Sequence, residues 1–364
     1  MGRCLAGALA VALLTGGLLG GCNTGRDPDL EGLALAWADQ ATAERWRYAR
    51  FVTRCDGKTL ADCRLAPPWR SQRLFKSGGT LPEPDASGPT YWLHEWVNEQ
   101  TPDDAARAIM NAGNDLPLRP PRVQPMADLD ALRGAMSQAW KGPAGAVSGR
   151  IAGEAVRVAV LDTVPHGMTR VDAAEGVSPH GLDMARAVQQ GACGASVSCP
   201  VRVVTELALD LVPGRVGGSR RGDPALGGAY GDPGSLAVAI HKATERWLAE
   251  DDSSRLVLVI PAGWTPMAAD PGAEAVLLAL QQARCFGAVT VAAFGNAGDG
   301  AADAGRVPRG PLCPACFADE AVPGCASSRG PVWPVAGAQL LPDGSLGRLP
   351  NGRDPGTIAP AAYG

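Results

Sequence analysis

The sequence predicts an α/β fold: a parallel sheet with helices on both faces, preceded by a smaller, mainly helical N-terminal region. Three observations carry that expectation. Short apolar runs recur in the C-terminal half, AVRVAVL at 155–161, RLVLVI at 255–260 and AVTVAA at 288–293, with few polar residues inside them. Helix-length segments separate the runs. Strands with near-continuous apolar character, rather than alternation, are those covered on both faces of a parallel sheet.

The elements follow in order. Residues 23 to about 45 read as a tether passing into a helix over 30–50, where Leu33, Leu35, Trp37 and Trp46 recur among charged residues. A stretch rich in Pro, Gly and Ser covers 66–89, and two helices are expected over 101–111 and 126–140. The first of these opens on Thr101-Pro102-Asp103-Asp104, with a hydroxyl cap, proline at the first position and acids at the positive dipole end. Lys141-Gly142-Pro143-Ala144-Gly145 marks a linker. Beyond it the expected series is strand 155–161, helix 179–190, strand 200–207, helix 235–250, strand 255–260, helix 272–285, strand 288–293 and a fifth strand over 332–341. The domains expected are a signal segment at 1–21, an accessory or propeptide-like region at 22–150 and an α/β domain at 151–364. Function in such sheets gathers at the carboxyl ends of the strands.

Composition narrows the classes. The chain is 46% hydrophobic and 19% charged, enough apolar content for a core in about two domains of ordinary size. A net charge of -4 supplies no basic field, so a nucleic-acid partner is not expected. Gly 47 and Pro 31 point to many turns and long loops.

Arg3 and the apolar run at 5–19 read as an export signal, too short to span a bilayer. Leu19-Gly20-Gly21-Cys22 resembles a bacterial lipobox, which would leave Cys22 as a lipidated N-terminus and the membrane as a partner through that lipid. The expected place is the cell envelope, and Asn23 after the cysteine suits the outer membrane where the cell has one. The alternative is an ordinary secretory signal whose cysteine is incidental. Eight cysteines remain after Cys4 and Cys22, an even number that reads as disulfides in an exported protein. Cys55 with Cys63 and Cys193 with Cys199 are the close pairs. Cys313-Pro314-Ala315-Cys316 has the spacing of a zinc or redox motif. With no second such pair or nearby histidine, a disulfide is the better reading and no metal site is assigned.

Three residues could carry chemistry. Asp162 follows the first buried strand, where a carboxylate can orient a histidine; a structural or ribose-binding aspartate is as common there. His180 opens a helix continued by Leu182, Met184, Ala185 and Val188, with Gly181 permitting close backbone approach; a lone histidine in that place is more often a cap. His166 competes as a base but lies four residues from Asp162 in a turn, while His94 and His241 read as structural. Asn296 sits in a glycine-flanked turn after the 288–293 strand, where an amide can face a developing oxyanion or simply complete a turn.

Together these segments resemble the subtilisin-like (S8) serine peptidases over residues 155–364. VRVAVLDT matches the aspartate segment, SPHGLDMARAV the histidine helix and AVTVAAFGNAG the oxyanion asparagine segment. LVLVIPAGW at 256–264 stands where the family lines its substrate cleft, and TIAPAA at 357–362 resembles the strand before the serine helix. The resemblance implies a subtilisin-like fold and peptide-bond hydrolysis, with Asp162 orienting His180, Asn296 as oxyanion donor and Ala262, Gly263 and Trp264 contacting a polypeptide substrate. Departures accompany it. Val164-Pro165 and Leu182-Asp183 replace the usual continuations, Pro261 removes a backbone donor in the cleft loop, and no Gly-Thr-Ser helix start is present. Ser235, Ser327, Ser328 and Ser345 lie elsewhere in the order. The peptidase domain is therefore expected to be incomplete, truncated before its serine, and this chain alone nearly inactive. The alternative is an inactive envelope lipoprotein that binds peptides or proteins. A nucleotide-binding α/β protein ranks last, since no glycine-rich loop follows the first strand. No cofactor is implied; the turn around Asp299 and Asp303 could take calcium, though a solvated loop explains it as well.

Overall fold

The computed structural model describes residues 50–96 apart from 57–58, 60, 62, 66, 68, 77–78 and 80, and then 124–125, 155–170, 180–193, 199–210, 231–250, 253–264, 270–295, 310–325, 330–340, 346–348 and 361–363. Cys22, Asn296, Asp299, Asp303, the linker at 141–145 and the helices expected over 101–111 and 126–140 lie outside the described residues, as does nearly all of the helix expected over 30–50. The chain forms two compact units, one drawn from Met1–Arg73 and Gly88–Pro120, the other from Leu74–Ser87 and Pro121–Gly364.

The described part of the first unit is a sheet, over residues for which the sequence predicted no helix beyond Arg50. Strands β1 (Arg50–Cys55), β2 (Trp69–Arg73) and β3 (Thr90–Trp96) pair antiparallel in the order β1-β3-β2. Hydrophobic spacing over 30–50 suits a helix, but RFVTRC and TYWLHEW are rich in β-branched and aromatic residues, which fit a pleated, half-buried surface. Phe51 packs edge-on against Trp69 at 4.9 Å across that sheet. His94 lies at its centre, fully buried, with Nε2 2.8 Å from Thr53 Oγ1 and Nδ1 2.9 Å from Ser71 Oγ, so one imidazole links all three strands. The Cys55–Cys63 disulfide forms as its spacing suggested.

The second unit is the expected parallel sheet. Its elements are β4 (Gln124–Pro125), β5 (Val156–Asp162), α1 (His180–Cys193), β6 (Val201–Leu207), α2 (Pro233–Ala249), β7 (Arg255–Ile260), β8 (Ala262–Gly263), α3 (Pro271–Cys285), β9 (Val289–Ala293), β10 (Trp333–Leu340), β11 (Leu346–Arg348) and β12 (Ala361–Tyr363). The main sheet runs β11-β10-β9-β7-β5-β6; all neighbours from β6 to β10 are parallel, β11 is antiparallel and β12 joins β10 in parallel. The chain leaves β5 toward β6 on one side and then returns to β7 on the other. Right-handed crossovers on a sheet of this order put α1 on one face and α2 and α3 on the opposite face.

Local sequence explains the helix starts. Both α2 and α3 open on Asp-Pro-Gly: the Asp232 carboxylate accepts from the Ser235 N–H at 2.9 Å, the Asp270 carboxylate from the Gly272 N–H at 2.9 Å, and proline occupies the first turn. A Cβ on Gly272 would lie 2.9 Å from Pro233 Cβ, so glycine is what allows the two helix starts to meet. Phe75 and Leu81, early in the chain, are buried in this unit, Phe75 against His241 at 5.5 Å, while the Gln282 amide donates to the Pro82 carbonyl at 2.6 Å.

At the amino-terminal end of the sheet the guanidinium of Arg157, 1% exposed, pairs with Glu250, which Arg202 also contacts at 3.0 Å. A cation so deeply buried depends on its partner. Glu250→Gln is expected to lower stability by about 3 kcal/mol, the low end for breaking a buried pair because Glu250 is itself partly solvated. Urea unfolding measures it; a change under about 0.5 kcal/mol, the size of an ordinary surface substitution, would contradict it.

Candidate active site

The strand order turns at β5, so the loops after β5 and β7 part there and leave a crevice at the carboxyl ends of the two strands. Asp162 ends β5 and the segment 262–264 follows β7, which places both at that crevice.

Asp162 and His180, 18 residues apart, are brought together with no measurable exposure. Asp162 Oδ2 lies 2.6 Å from His180 Nδ1, and Oδ1 accepts from the Thr163 N–H at 2.7 Å. The Thr163 hydroxyl accepts from the Gly181 N–H at 3.0 Å, fastening the turn after β5 to the first turn of α1. A Cβ on Gly181 would stand 3.1 Å from Asp162 Cβ, 3.2 Å from Thr163 N and 3.2 Å from Val164 Cγ2. Each of these neighbours would have to give by a few tenths of an ångström to admit a side chain, so glycine allows the turn and the helix start to approach this closely. Gly181→Ala is expected to cost about 1–3 kcal/mol and to disturb the Asp162–His180 contact, seen as a lower melting temperature and a shifted His180 imidazole resonance; an unchanged resonance would contradict it.

With Nδ1 on the carboxylate, Nε2 is the ring atom turned to the other side. Burial, the largest single influence, pulls the His180 pKa down. The Asp162 charge, its hydrogen bond and the charge of Asp183 together outweigh burial, and the net direction is up. Asp183 is itself buried and contacts Arg186 at 3.1 Å. Such a pair keeps the imidazole in one orientation and favours a positive charge on it, the two requirements for a base that must hold a proton through a reaction.

The segment that the sequence assigned to substrate is built into backbone pairing. β8, which is Ala262 and Gly263, pairs antiparallel with β4, Gly263 opposite Gln124 and Ala262 opposite Pro125. Trp264 forms an isolated antiparallel bridge with Cys313, each N–H donating to the other's carbonyl at 2.9 Å. The Trp264 ring is buried with Phe317 edge-on at 6.4 Å. Asp270 stands nearby in sequence at the α3 cap; burial raises its pKa against the N–H donors of Ala273 and Gly272.

β9 ends at Ala293 and leads toward the asparagine. The Phe294 N–H donates to the Val335 carbonyl at 2.7 Å, its carbonyl accepts from the Leu312 N–H at 2.9 Å, and Gly295 takes a φ of +108°, open to glycine above all. Asn296 is the next residue and lies outside the described ones.

His166 has a carboxylate of its own: Nδ1 lies 2.8 Å from Glu206 Oε1, and Glu206 also pairs with Arg246. That second pair had no local signal, since Glu206 is the sixth residue of a strand and 40 positions away. The bridge from Trp264 to Cys313 had none either. The remaining disulfides are Cys193–Cys199, Cys313–Cys316 and Cys285–Cys325.

The second unit is thus an α/β protein with a buried Asp–His pair at its strand ends. No protein-family model matches the chain, and no curated protein does. Among solved structures it is similar to one described as an S41 psychrophilic protease, at 16% identity and a TM-score of 0.33, covering 53% of this chain and 57% of that one. It is also similar to fervidolysin from Fervidobacterium pennivorans, described as a keratinolytic enzyme related to subtilisin, at 15% identity and a TM-score of 0.39, covering 82% of this chain and 44% of that one. The chain spans less than two thirds of the length of either.

Proposed function

We propose that residues 151–364 belong to a subtilisin-like serine-type endopeptidase domain. The observation that carries the reading is the buried Asp162–His180 pair at the end of β5, with Nδ1 on the carboxylate. In the proposed reaction His180 Nε2 takes the proton of a serine hydroxyl as its oxygen attacks the peptide carbonyl. Asn296 donates to the oxyanion, and His180 then passes the proton to the leaving amine; water repeats the sequence on the acyl ester. Two further features support it. The edge at Ala262–Gly263 pairs antiparallel, the mode an extended peptide uses, although Gln124–Pro125 of the same chain holds it here and a substrate would have to displace that pair. β12 lies parallel to β10 where the TIAPAA motif would precede a serine helix. Ser235 is occupied as part of the α2 start, its hydroxyl 2.8 Å from Asp232, so the reading does not take it as the nucleophile and leaves that serine unassigned. Lipid on Cys22 would hold the domain at the envelope surface, with polypeptide as substrate.

Hydrolysis of an alkylated, unfolded protein by the complete native protein tests this. His180→Ala is expected to lower turnover on the order of 10⁶-fold and Asn296→Ala about 10²–10³-fold. Turnover unchanged in His180→Ala overturns it. A folded protein that binds the peptide without cutting it replaces it with the reading as an inactive peptide-binding lipoprotein.

A further inference from the structure

Four disulfides form among the described residues. Cys55–Cys63 is in the first unit, Cys193–Cys199 starts from the last residue of α1, and Cys285–Cys325 starts from the last residue of α3. Cys313–Cys316 differs. It ties Cys316, in the middle of the short turn at Ala315–Phe317, back to Cys313, the residue whose N–H and carbonyl both bond to Trp264. The same turn contributes Phe317 to the Trp264 ring, and Leu312 just before it bonds to Phe294, two residues ahead of Asn296. One disulfide therefore stiffens a turn joined to both the cleft segment and the strand end that leads to the asparagine. Its two cysteines are unequal: Cys313 is buried, whereas Cys316 is half-buried.

We propose that Cys313–Cys316 is a redox latch on this cleft, closed as the disulfide and opened by a dithiol. The inference rests on the reading of 262–264 as cleft wall. In the opening step one thiolate of the dithiol attacks Cys316 Sγ, forming a mixed disulfide as Cys313 leaves as thiolate. The second thiolate of the dithiol attacks its own sulfur in that mixed disulfide and releases Cys316. Two electrons pass from the dithiol, which departs as a cyclic disulfide, and two protons end on the Cys313 and Cys316 thiols. Because the bond closes only a three-residue separation, it constrains the unfolded chain least of the four, and its loss loosens the turn while leaving the domain folded.

Amide hydrogen exchange on the complete chain, poised with graded dithiothreitol, reads the latch directly, with alkylation and mass spectrometry reporting which pair is open. When Cys313 and Cys316 become alkylatable, the Trp264 and Cys313 amides are expected to exchange about tenfold faster while Val276 and Leu280 in α3 keep their protection. A Cys313→Ala/Cys316→Ala variant is expected to show the fast rate without reductant and no response to it. A Cys193→Ala/Cys199→Ala variant keeps the slow rate and the response. Equal Trp264 rates in oxidised chain, reduced chain and the first variant overturn the proposal, as does loss of α3 protection along with Trp264. These rates need no nucleophile, so failure of the latch and failure of the peptidase reading are separately visible.

Discussion

In an Asp162→Asn protein the His180 imidazole is expected to titrate below 6.5, whereas in the unaltered protein it titrates above that value. The two directions share one cause. Burial is the largest influence on His180 and acts downward; it is outweighed only because the Asp162 charge and hydrogen bond act upward. Asparagine removes both and leaves burial ahead of the charge of Asp183. The stability consequence reverses as well. With the folded pKa raised, the pair contributes stability that is fully present below the unfolded value of 6.5 and is lost as pH rises through the folded pKa. In the variant, stability falls instead as pH drops below 6.5. Asparagine can also donate its amide to Nδ1 and so present the wrong tautomer at Nε2. On the proposed reaction that costs about 10⁴-fold in turnover, the loss known for the same change in a serine protease triad. With four histidines in the chain, imidazole resonances can be assigned by substitution. An upward-shifted His180 in the variant would contradict the account.

Acid is expected to loosen the first unit by a different histidine. Burial lowers the His94 pKa from 6.5 to about 4. Between those values the unfolded chain binds a proton that the folded sheet refuses, so stability falls as pH falls through the window and is unaffected above it. The shift corresponds to about 3 kcal/mol lost by pH 4. The two hydroxyls that flank His94, on Thr53 and Ser71, can accept as well as donate, so the cost comes from burying charge rather than from broken hydrogen bonds. Unfolding of the β1–β3 sheet, followed by its tryptophans at pH 7 and pH 4.5, measures the effect. A His94→Gln protein is expected to start less stable and to lack this slope; an equal slope with and without His94 would contradict the assignment.

The legible part of the structure was the part buried on both sides. β5, β7 and β9 are near-continuous apolar runs, and β7 falls at Arg255–Ile260 as its sequence suggests. The Asp-Pro-Gly starts of α2 and α3 carry their caps in sequence. His180 could be paired with Asp162 in advance through the resemblance of VRVAVLDT and SPHGLDMARAV to the aspartate and histidine segments of subtilisin-like peptidases, and the close approach at Gly181 agrees with that pairing. The strands of the first unit were harder, since β2 (WRSQR) holds few apolar residues and sits in a stretch rich in Pro, Gly and Ser. What no local pattern carries is pairing across distance. The bond from Trp264 to Cys313, the seat of Gln124–Pro125 on β8 and the Glu206–His166 pair depend on how loops meet once the sheet has formed.

The most direct test of the central claim is fluorophosphonate labelling of the complete native protein, beside its His180→Ala variant. A serine activated by His180 is expected to take the label on a band carrying this chain, with the label lost in the variant. A folded protein that stays unlabelled, or a variant labelled as fully as the unaltered one, would contradict the assignment of Asp162 and His180 to a serine peptidase.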